Sequence, residues 1–322
     1  MDEIMVSVLC TAYNHEKYIK QALDGILMQE TSFAFEIIVH DDASKDKTTE
    51  IIREYEAKYS DIVKPIYQTE NQYSKGVAII NEFMLPKVRG KYVAICEGDD
   101  YWTDKSKLEL QVNWLESHPE YSACCHNALV VNEDMQPLPQ SSQMLFHVDE
   151  DTTINIDYLY DKCKFCHTAT LVMRTEVWLH SNDEQWDQYG FRINGDMKWC
   201  ALSLAHGAVY QIARVMSCYR LVLTNDSWSA RNKNKNIAWI TYRQLEAIRK
   251  IIYEQYGVEI SYQGYYDELT VSAIIKAMKS FSKDNFNIAR KLVSVNPHKI
   301  NLLRVMWYRV YGKVKGRKNN GK

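Results

Sequence analysis

Along the first two-thirds of the chain, short continuous apolar runs alternate with apolar residues at helical spacing. Val6 to Cys10 is one such run, followed by Thr11-Ala12-Tyr13-Asn14, after which Ile19, Ala22, Leu23, Ile26 and Leu27 share one helical face. Phe35 to Val39 predicts a second strand, ending in His40-Asp41-Asp42-Ala43-Ser44. Ile51, Ile52, Tyr55 and Tyr59 then mark a second helix, with Ser44 or Asp46 available as its N-cap. Val63 to Tyr67 predicts a third strand, Gly76 to Val88 a helical stretch, and Tyr92 to Cys96 a fourth strand. Strands alternating with helices at this spacing mean βαβ units and a mainly parallel sheet flanked by helices.

The pattern continues with a helix from Lys107 to Ser117, which stops at His118-Pro119. Tyr121 to Cys125, Leu129 to Asn132, Thr168 to Met173, Val209 to Ile212 and Met216 to Leu221 read as further strands. The polar stretch from Asp134 to Asp151 reads as a loop, and Asn194-Gly195-Asp196 opens a helix carrying Met197, Trp199, Cys200, Leu202 and Leu204. Past the polar stretch Thr224 to Arg231 the character changes. Asn236 to Tyr256, Tyr265 to Phe281, Asn285 to Val295 and Ile300 to Tyr311 carry helical patterns with no strands between them. The expected organisation is an α/β domain over residues 1–228 and a helical C-terminal appendage with a basic tail over 229–322.

The fourth strand ends in Glu97-Gly98-Asp99-Asp100. A run this apolar is buried on both faces, and its carboxyl end is where open α/β sheets place ligands. Glycine allows a sharp turn and close approach. The crowded carboxylates repel one another unless a cation is shared. A few hard oxygen ligands suit Mg²⁺ or Mn²⁺, which bind through one or two carboxylates plus substrate phosphates. In a parallel sheet, Thr11 to Asn14 and Asp41-Asp42 converge on the same edge. There Asp42 can accept the imide N–H of a uracil, and Tyr13 offers a face for stacking. A solvated acidic loop, a helix-capping turn at Asp41-Asp42 and a core aromatic at Tyr13 are the plainer alternatives, each preferable when taken singly. Together they would leave three unused polar clusters on one edge, which favours the chemical reading.

Composition narrows the field. With 322 residues, 46% hydrophobic and 25% charged, the chain can build a sizeable core, and a net charge of −2 argues against general nucleic-acid binding. From His298 onward, however, there are eight Lys or Arg and no Asp or Glu. Interspersed with Leu302, Trp307, Tyr308 and Tyr311, they make residues 299–322 suited to an anionic membrane surface; a solvated basic tail is the alternative. No apolar run approaches the ~18 residues of a spanning helix. The opening Met1-Asp2-Glu3 leads straight into a strand, so no secretory signal is expected. Eight cysteines scattered through apparent core elements indicate reduced, cytoplasmic usage, with the tail suggesting a peripheral position on the inner face of the cell membrane. Cys163-Lys164-Phe165-Cys166-His167 has the spacing of a haem attachment site. That chemistry follows export, and a structural zinc would want a second cysteine pair.

Val6-Ser7-Val8 with Thr11-Ala12-Tyr13-Asn14, then Asp41-Asp42-Ala43-Ser44, then Glu97-Gly98-Asp99-Asp100, resembles the family 2 nucleotide-sugar glycosyltransferases of GT-A fold. Order and spacing both fit, and the resemblance covers residues 4 to 230. It implies that Thr11, Ala12, Tyr13, Asn14 and Asp42 bind the nucleoside, usually uridine, and that Asp99 and Asp100 form the metal-diphosphate motif. It also implies a general base about a hundred residues on, at a helix start, which Asp196 matches, a helix N-cap being the plainer alternative; family members often have a Glu-Asp pair where this chain has Gly195-Asp196. Arg220 and Trp228 lie where similar enzymes have a loop closing over the diphosphate, with strand-end packing the alternative for both, and Cys166-His167-Thr168 is a candidate for the acceptor side.

The expected activity is inverting transfer from a nucleoside diphosphate sugar, most simply a UDP-sugar, to a hydroxyl of a glycan or lipid-linked acceptor. An aspartate with a reference pKa of ~3.9 is already ionised and ready to take the acceptor's proton. The competing class is a catalytically silent sugar-nucleotide or glycan-binding module. A nucleotidyltransferase would want a glycine-rich loop after the first strand, and a dinucleotide-dependent dehydrogenase a G-x-G-x-x-G; neither is present.

Overall fold

The structure is a computed structural model that describes residues 3–138, 144–182, 186, 188–222, 236–280 and 282–297. Trp228, the polar stretch 224–231, the helical pattern from residue 300 and the whole basic tail 299–322 lie outside the described residues. Contacts divide the chain into two compact units, one of residues 1–156 and 164–223 and the other of 157–163 and 224–322.

The first unit is built on one sheet. Its strands are β1 (Ile4–Ala12), β2 (Ala34–Asp41), β3 (Val63–Tyr67), β4 (Tyr92–Ile95), β5 (Tyr101–Trp102), β6 (Tyr121–Val131), β7 (Met144–Leu145), β8 (Thr152–Ile154), β9 (Val172–Arg174) and β10 (Ala208–Arg220). Its helices are α1 (Ile19–Leu27), α2 (Thr48–Lys58), α3 (Lys107–Ser117), α4 (Thr175–Leu179) and α5 (Gly195–His206). The strand order is β3-β2-β1-β4-β9-β6-β10-β5, with β7 beside β6 and β8 beside β10. β1 runs parallel to β2 and β4, β2 to β3, and β6 to β10, while the short β9 joins the two halves antiparallel. The carboxyl ends of β1, β2 and β4 therefore open on one edge. Val6, Val8, Leu9 and Cys10 of β1 are fully buried between the helical layers, and α1 buries Ile19, Ala22, Leu23 and Ile26. Each large aliphatic side chain so removed from water contributes about 1.5–3 kcal/mol.

Several elements differ from the sequence pattern, each for a local reason. The stretch from Gly76 to Val88 is a broken series of turns: a 3₁₀ turn at 73–75, a π turn at 80–84 and a 3₁₀ turn at 85–87. Gly76 is left-handed (φ 84°), and Pro86 lacks an amide donor. Tyr121 to Val131 is one strand, because Asn127 in its middle is satisfied inside the fold. Its Nδ2 donates to the Val148 carbonyl (2.8 Å) and its Oδ1 accepts from the Val148 amide (3.0 Å). β10 is likewise continuous, with register shifts between Ile212 and Ser217 where the sequence reads as a gap. Thr168 to Thr170 forms a 3₁₀ turn before β9, because the Thr170 hydroxyl donates to the His167 carbonyl (2.7 Å) and closes the chain locally. At α2, Asp46 accepts from the Thr48 amide (2.9 Å), while Ser44 is engaged by Asp41 instead.

The second unit contains α6 (Ala238–Tyr256), α7 (Gln263–Ser280) and α8 (Lys283–Val295). Small residues Ala238, Ala273, Ala277 and Ala289 let the helices pack closely around Leu292. α6 ends at Gly257, left-handed at φ 65°. No described helix is long and apolar enough to cross a membrane.

One buried polar chain supports the later site. Lys107 is fully buried at the start of α3, its ammonium 4.0 Å from the Trp102 ring centroid and 2.9 Å from Gln111 Oε1. Gln111 Nε2 donates to the carbonyls of Cys124 (2.8 Å) and Thr170 (2.9 Å), and Trp102 Nε1 donates to that of Ala169 (2.9 Å). The 167–170 turn is thus held from the core side. Burial pushes the Lys107 ammonium down to about 7, with the neighbouring thiols opposing the shift. Above that value and below the ordinary lysine pKa of ~10.4, the unfolded chain holds a proton that the folded one lacks. The Lys107 contribution to stability therefore rises with pH across this window, and its burial cost is felt in full below it. Lys107→Met removes that dependence. Its stability relative to the native protein, measured by urea unfolding, should be more favourable at about pH 6 than at about pH 9. A difference that stays constant with pH contradicts the assignment.

Candidate active site

The edge where β1, β2 and β4 end is stitched together by backbone and short side chains. The turn after β4 is closed by the Asp100 amide donating to the Glu97 carbonyl (2.9 Å), and the Gly98 amide donates to Thr11 of β1 (2.9 Å). A Cβ on Gly98 would lie 3.0 Å from the Thr11 carbonyl oxygen and 2.9 Å from His15 Nδ1. Close approach, rather than a left-handed backbone, is what glycine provides here.

Asn14 is left-handed (φ 55°). Its amide donates to Ser44 Oγ (3.0 Å), and its side-chain oxygen accepts from the Lys45 amide (2.9 Å). Asp41 accepts from the Ser44 amide (3.1 Å) and hydroxyl (2.5 Å) and from the Thr49 hydroxyl, a turn-capping role. The Asp42 amide donates to the Ala12 carbonyl (3.0 Å). The buried Asp42 carboxylate accepts the amide of Gln72 on one oxygen (2.7 Å) and that of Tyr73 on the other (3.0 Å). Thr11 and Tyr13 are half-buried beside it.

On the acidic side, Asp100 is buried, and its Oδ1 accepts from the Arg220 amide (2.8 Å). Its Oδ2 lies 3.7 Å from His167 Nδ1, too far for a hydrogen bond. Glu97 Oε1 accepts from the Thr168 hydroxyl (2.7 Å), and its Oε2 is buried without a partner. Burial pushes the Glu97 carboxyl up to about 7; Thr168 opposes this and Asp99 adds to it. Burial also raises the Asp100 carboxyl well above the usual range, reinforced by Asp99 and Glu97. Burial, with the nearby Lys164 charge acting the same way, lowers His167 to about 3, so this imidazole is neutral.

Asp196, the second residue of α5, accepts its neighbour's Met197 amide on Oδ1 (2.8 Å) and Lys164 Nζ on Oδ2 (2.5 Å). The glycine before it has a steric reason. A Cβ on Gly195 would lie 2.8 Å from the Trp199 ring, which fills the space an acidic pair would need. The stretch 164–168 gives each of three carboxylates a polar neighbour: Lys164 to Asp196, His167 to Asp100 and Thr168 to Glu97. Phe165 and Cys166, between them, are buried in the core. Sequence reasoning reached Cys166-His167-Thr168 but gave Lys164 no role beside Asp196. Its only signal was a polar residue flanking buried ones in a stretch without regular structure.

Arg220 was expected to face the diphosphate. Instead its Nε donates to the Asp99 carbonyl (2.8 Å), Nη1 to the Glu133 carbonyl (3.2 Å) and Nη2 to Gln21 Oε1 (2.6 Å). The guanidinium also packs 4.7 Å from the Tyr18 ring centroid and 5.2 Å from that of Tyr101. It is committed to holding the acidic turn. Trp228 lies outside the described residues.

The fold defines an α/β protein with a polar, carboxylate-rich edge at the carboxyl ends of parallel strands. The profile of Glycosyl transferase family 2 matches residues 7–178, and the chain belongs to that family. Rv1520 of Mycobacterium tuberculosis (strain ATCC 25618 / H37Rv), an uncharacterized protein, is 46% identical over 129 residues, 40% of this chain and 36% of that protein. The match thus spans little more than a third of the length of this mycobacterial relative. TuaG of Bacillus subtilis (strain 168), provisionally named a teichuronic acid biosynthesis glycosyltransferase, is 27% identical over 249 residues, 76% of this chain and 89% of TuaG. Among solved structures, S. aureus TarS 1-349 in complex with UDP-GlcNAc superposes with a TM-score of 0.64 at 16% identity. The superposition covers 93% of this chain and 84% of that one, and the shared fold is GT-A-like.

The Arg220 geometry predicts a stability role. Arg220→Met should lower the urea-unfolding free energy by about 1–3 kcal/mol, since it leaves three part-buried acceptors without this donor. Unchanged stability with lost nucleotide binding would instead mark a direct diphosphate contact.

Proposed function

We propose that the protein is an inverting glycosyltransferase that moves a sugar from a UDP-sugar to a hydroxyl of a glycan or lipid-linked acceptor. The observation that carries this is the convergence of Asp42, the Glu97–Asp100 turn and the nearby Asp196 within the first unit. The chemistry belongs to the transferase domain, delimited from the sequence at 1–228. UDP-GlcNAc in the TarS complex supports a uridine donor, and the name of TuaG supports a glycan acceptor.

In this reading Thr11, Ala12, Tyr13 and Asn14 line the nucleoside side. Each Asp42 oxygen retains a lone pair beyond the amide it accepts, so an imide N–H can still be received. No cluster of three or more metal-ligating side chains occurs among the described residues. Mg²⁺ or Mn²⁺ binds through one or two carboxylates while diphosphate and water complete the shell. Asp99 and Asp100 would hold the ion, and the unpartnered Glu97 Oε2 shows that the turn has unused oxygen donors. When bound, the ion supplies charge neutralisation for the departing diphosphate. Asp196 accepts the proton of the acceptor hydroxyl as that oxygen bonds to the anomeric carbon. The carbon–phosphate-oxygen bond breaks on the opposite face, so the anomeric centre inverts.

Competition between free diphosphates tests the nucleoside and metal assignments together. UDP should bind in preference to GDP and more tightly with Mn²⁺, and Asp100→Ala should remove the metal dependence. Preference for GDP sinks the uridine assignment; metal-independent turnover undiminished in Asp100→Ala sinks the metal one. The base is tested separately. Asp196→Asn should lower kcat by roughly 10²–10⁴ with little change in UDP affinity. A near-normal kcat returns Asp196 to helix capping.

A further inference from the structure

We propose that Lys164 is the positioning residue of the Asp196 carboxylate, its ammonium holding that group in the orientation from which it can take the acceptor's proton. The inference rests on the reading of Asp196 as base. Three observations carry it.

The first is the pairing. Lys164 Nζ lies 2.5 Å from Asp196 Oδ2, with both side chains only 29% exposed. A pair that far removed from water is held more firmly than a surface pair, whose two long side chains sample many geometries. The second is the other oxygen. Oδ1 accepts the Met197 amide at 2.8 Å, a bond within the first turn of the same helix. One such bond leaves the carboxylate free to swing about it. Two bonds to different oxygens, one of them from outside the helix, fix its plane. Each oxygen still keeps a lone pair for a hydroxyl. The third is how the ammonium is delivered. Phe165 is fully buried and Cys166 nearly so, and two residues further on the Thr168 hydroxyl is bonded to Glu97. The backbone carrying Lys164 is therefore anchored, and the lysine is not a solvated charge that settles on the nearest acid.

Orientation is the effect at stake: displacing a reacting group by about 1 Å can cost on the order of 10²-fold in rate.

The test measures kcat, donor KM and UDP affinity for Asp196→Asn, Lys164→Met, Lys164→Gln, Lys164→Arg and the Asp196→Asn/Lys164→Met double variant. Lys164→Met and Lys164→Gln should lower kcat by roughly 10–100-fold with KM and UDP affinity within about two-fold, and Lys164→Arg should recover most of the loss. In the Asp196→Asn background, Lys164→Met should change kcat by less than about two-fold, because a residue acting only through Asp196 has nothing left to position. Normal kcat in both neutral variants overturns the proposal. So does a loss that adds in full to that of Asp196→Asn, which would mean that Lys164 acts on substrate directly. If Asp196→Asn alone is near normal, the base assignment itself has failed, an outcome distinct from the other two.

Discussion

Three carboxylates within four residues, drawn partly out of water at the end of a fully buried strand, are the constraint that the first unit answers. Withdrawing an unpaired carboxylate from water costs several kcal/mol, whereas one hydrogen bond returns about 1 kcal/mol. The response is distributed. Arg220 binds the turn through its main chain, donating its own amide to Asp100 and its guanidinium to the Asp99 carbonyl. It therefore fixes the turn without forming a side-chain ion pair with it. The carboxyl groups stay under-compensated, which is why Glu97 and Asp100 are pushed upward.

The β1 and β2 side of this edge is organised in a different way. The loops after β1 and β2 are latched by short polar side chains: Asn14 with Ser44 and Lys45, His15 with Thr48, and Glu16 with Asp46. Asn14 and Ala43 hold left-handed backbones at φ 55° and 62°. Such conformations cost about 1 kcal/mol or more for a non-glycine residue and persist only where surrounding bonds over-determine them. Local strain there is offset by cross-loop bonds. The result is a preformed rim beside Tyr13 and Asp42.

Much of this was legible in the sequence because the signals were local. β1, β2 and β4 are apolar runs cut off by polar residues, and α3 was read with the bounds it has, Lys107 to Ser117. What was misread depended on tertiary partners. Thr168 to Met173 has the composition of a strand, yet a side-chain bond to the His167 carbonyl curls its first half. β5 is two residues long and exists only by pairing with β10. The Lys164–Asp196 pair spans 32 positions and the Arg220–Asp99 bond 121, separations at which one sequence carries no periodicity. Arg220 was set near the diphosphate by its resemblance to the closing loop of similar enzymes; its burial at the junction of β10, α1 and the turn was invisible in the pattern.

The segment 164–168 joins two properties that are usually separable. Phe165 and Cys166 are buried in the core, yet they set the height at which three polar neighbours meet three acids. Truncating a buried phenylalanine commonly costs 3–5 kcal/mol, and the backbone relaxes toward the void. Here that relaxation would also shift the alignment of the acids. Drift at these two interior positions is therefore constrained twice, by cohesion and by alignment. Change in what the protein accepts is more readily absorbed by surface loops, which can lengthen or shorten without disturbing that register.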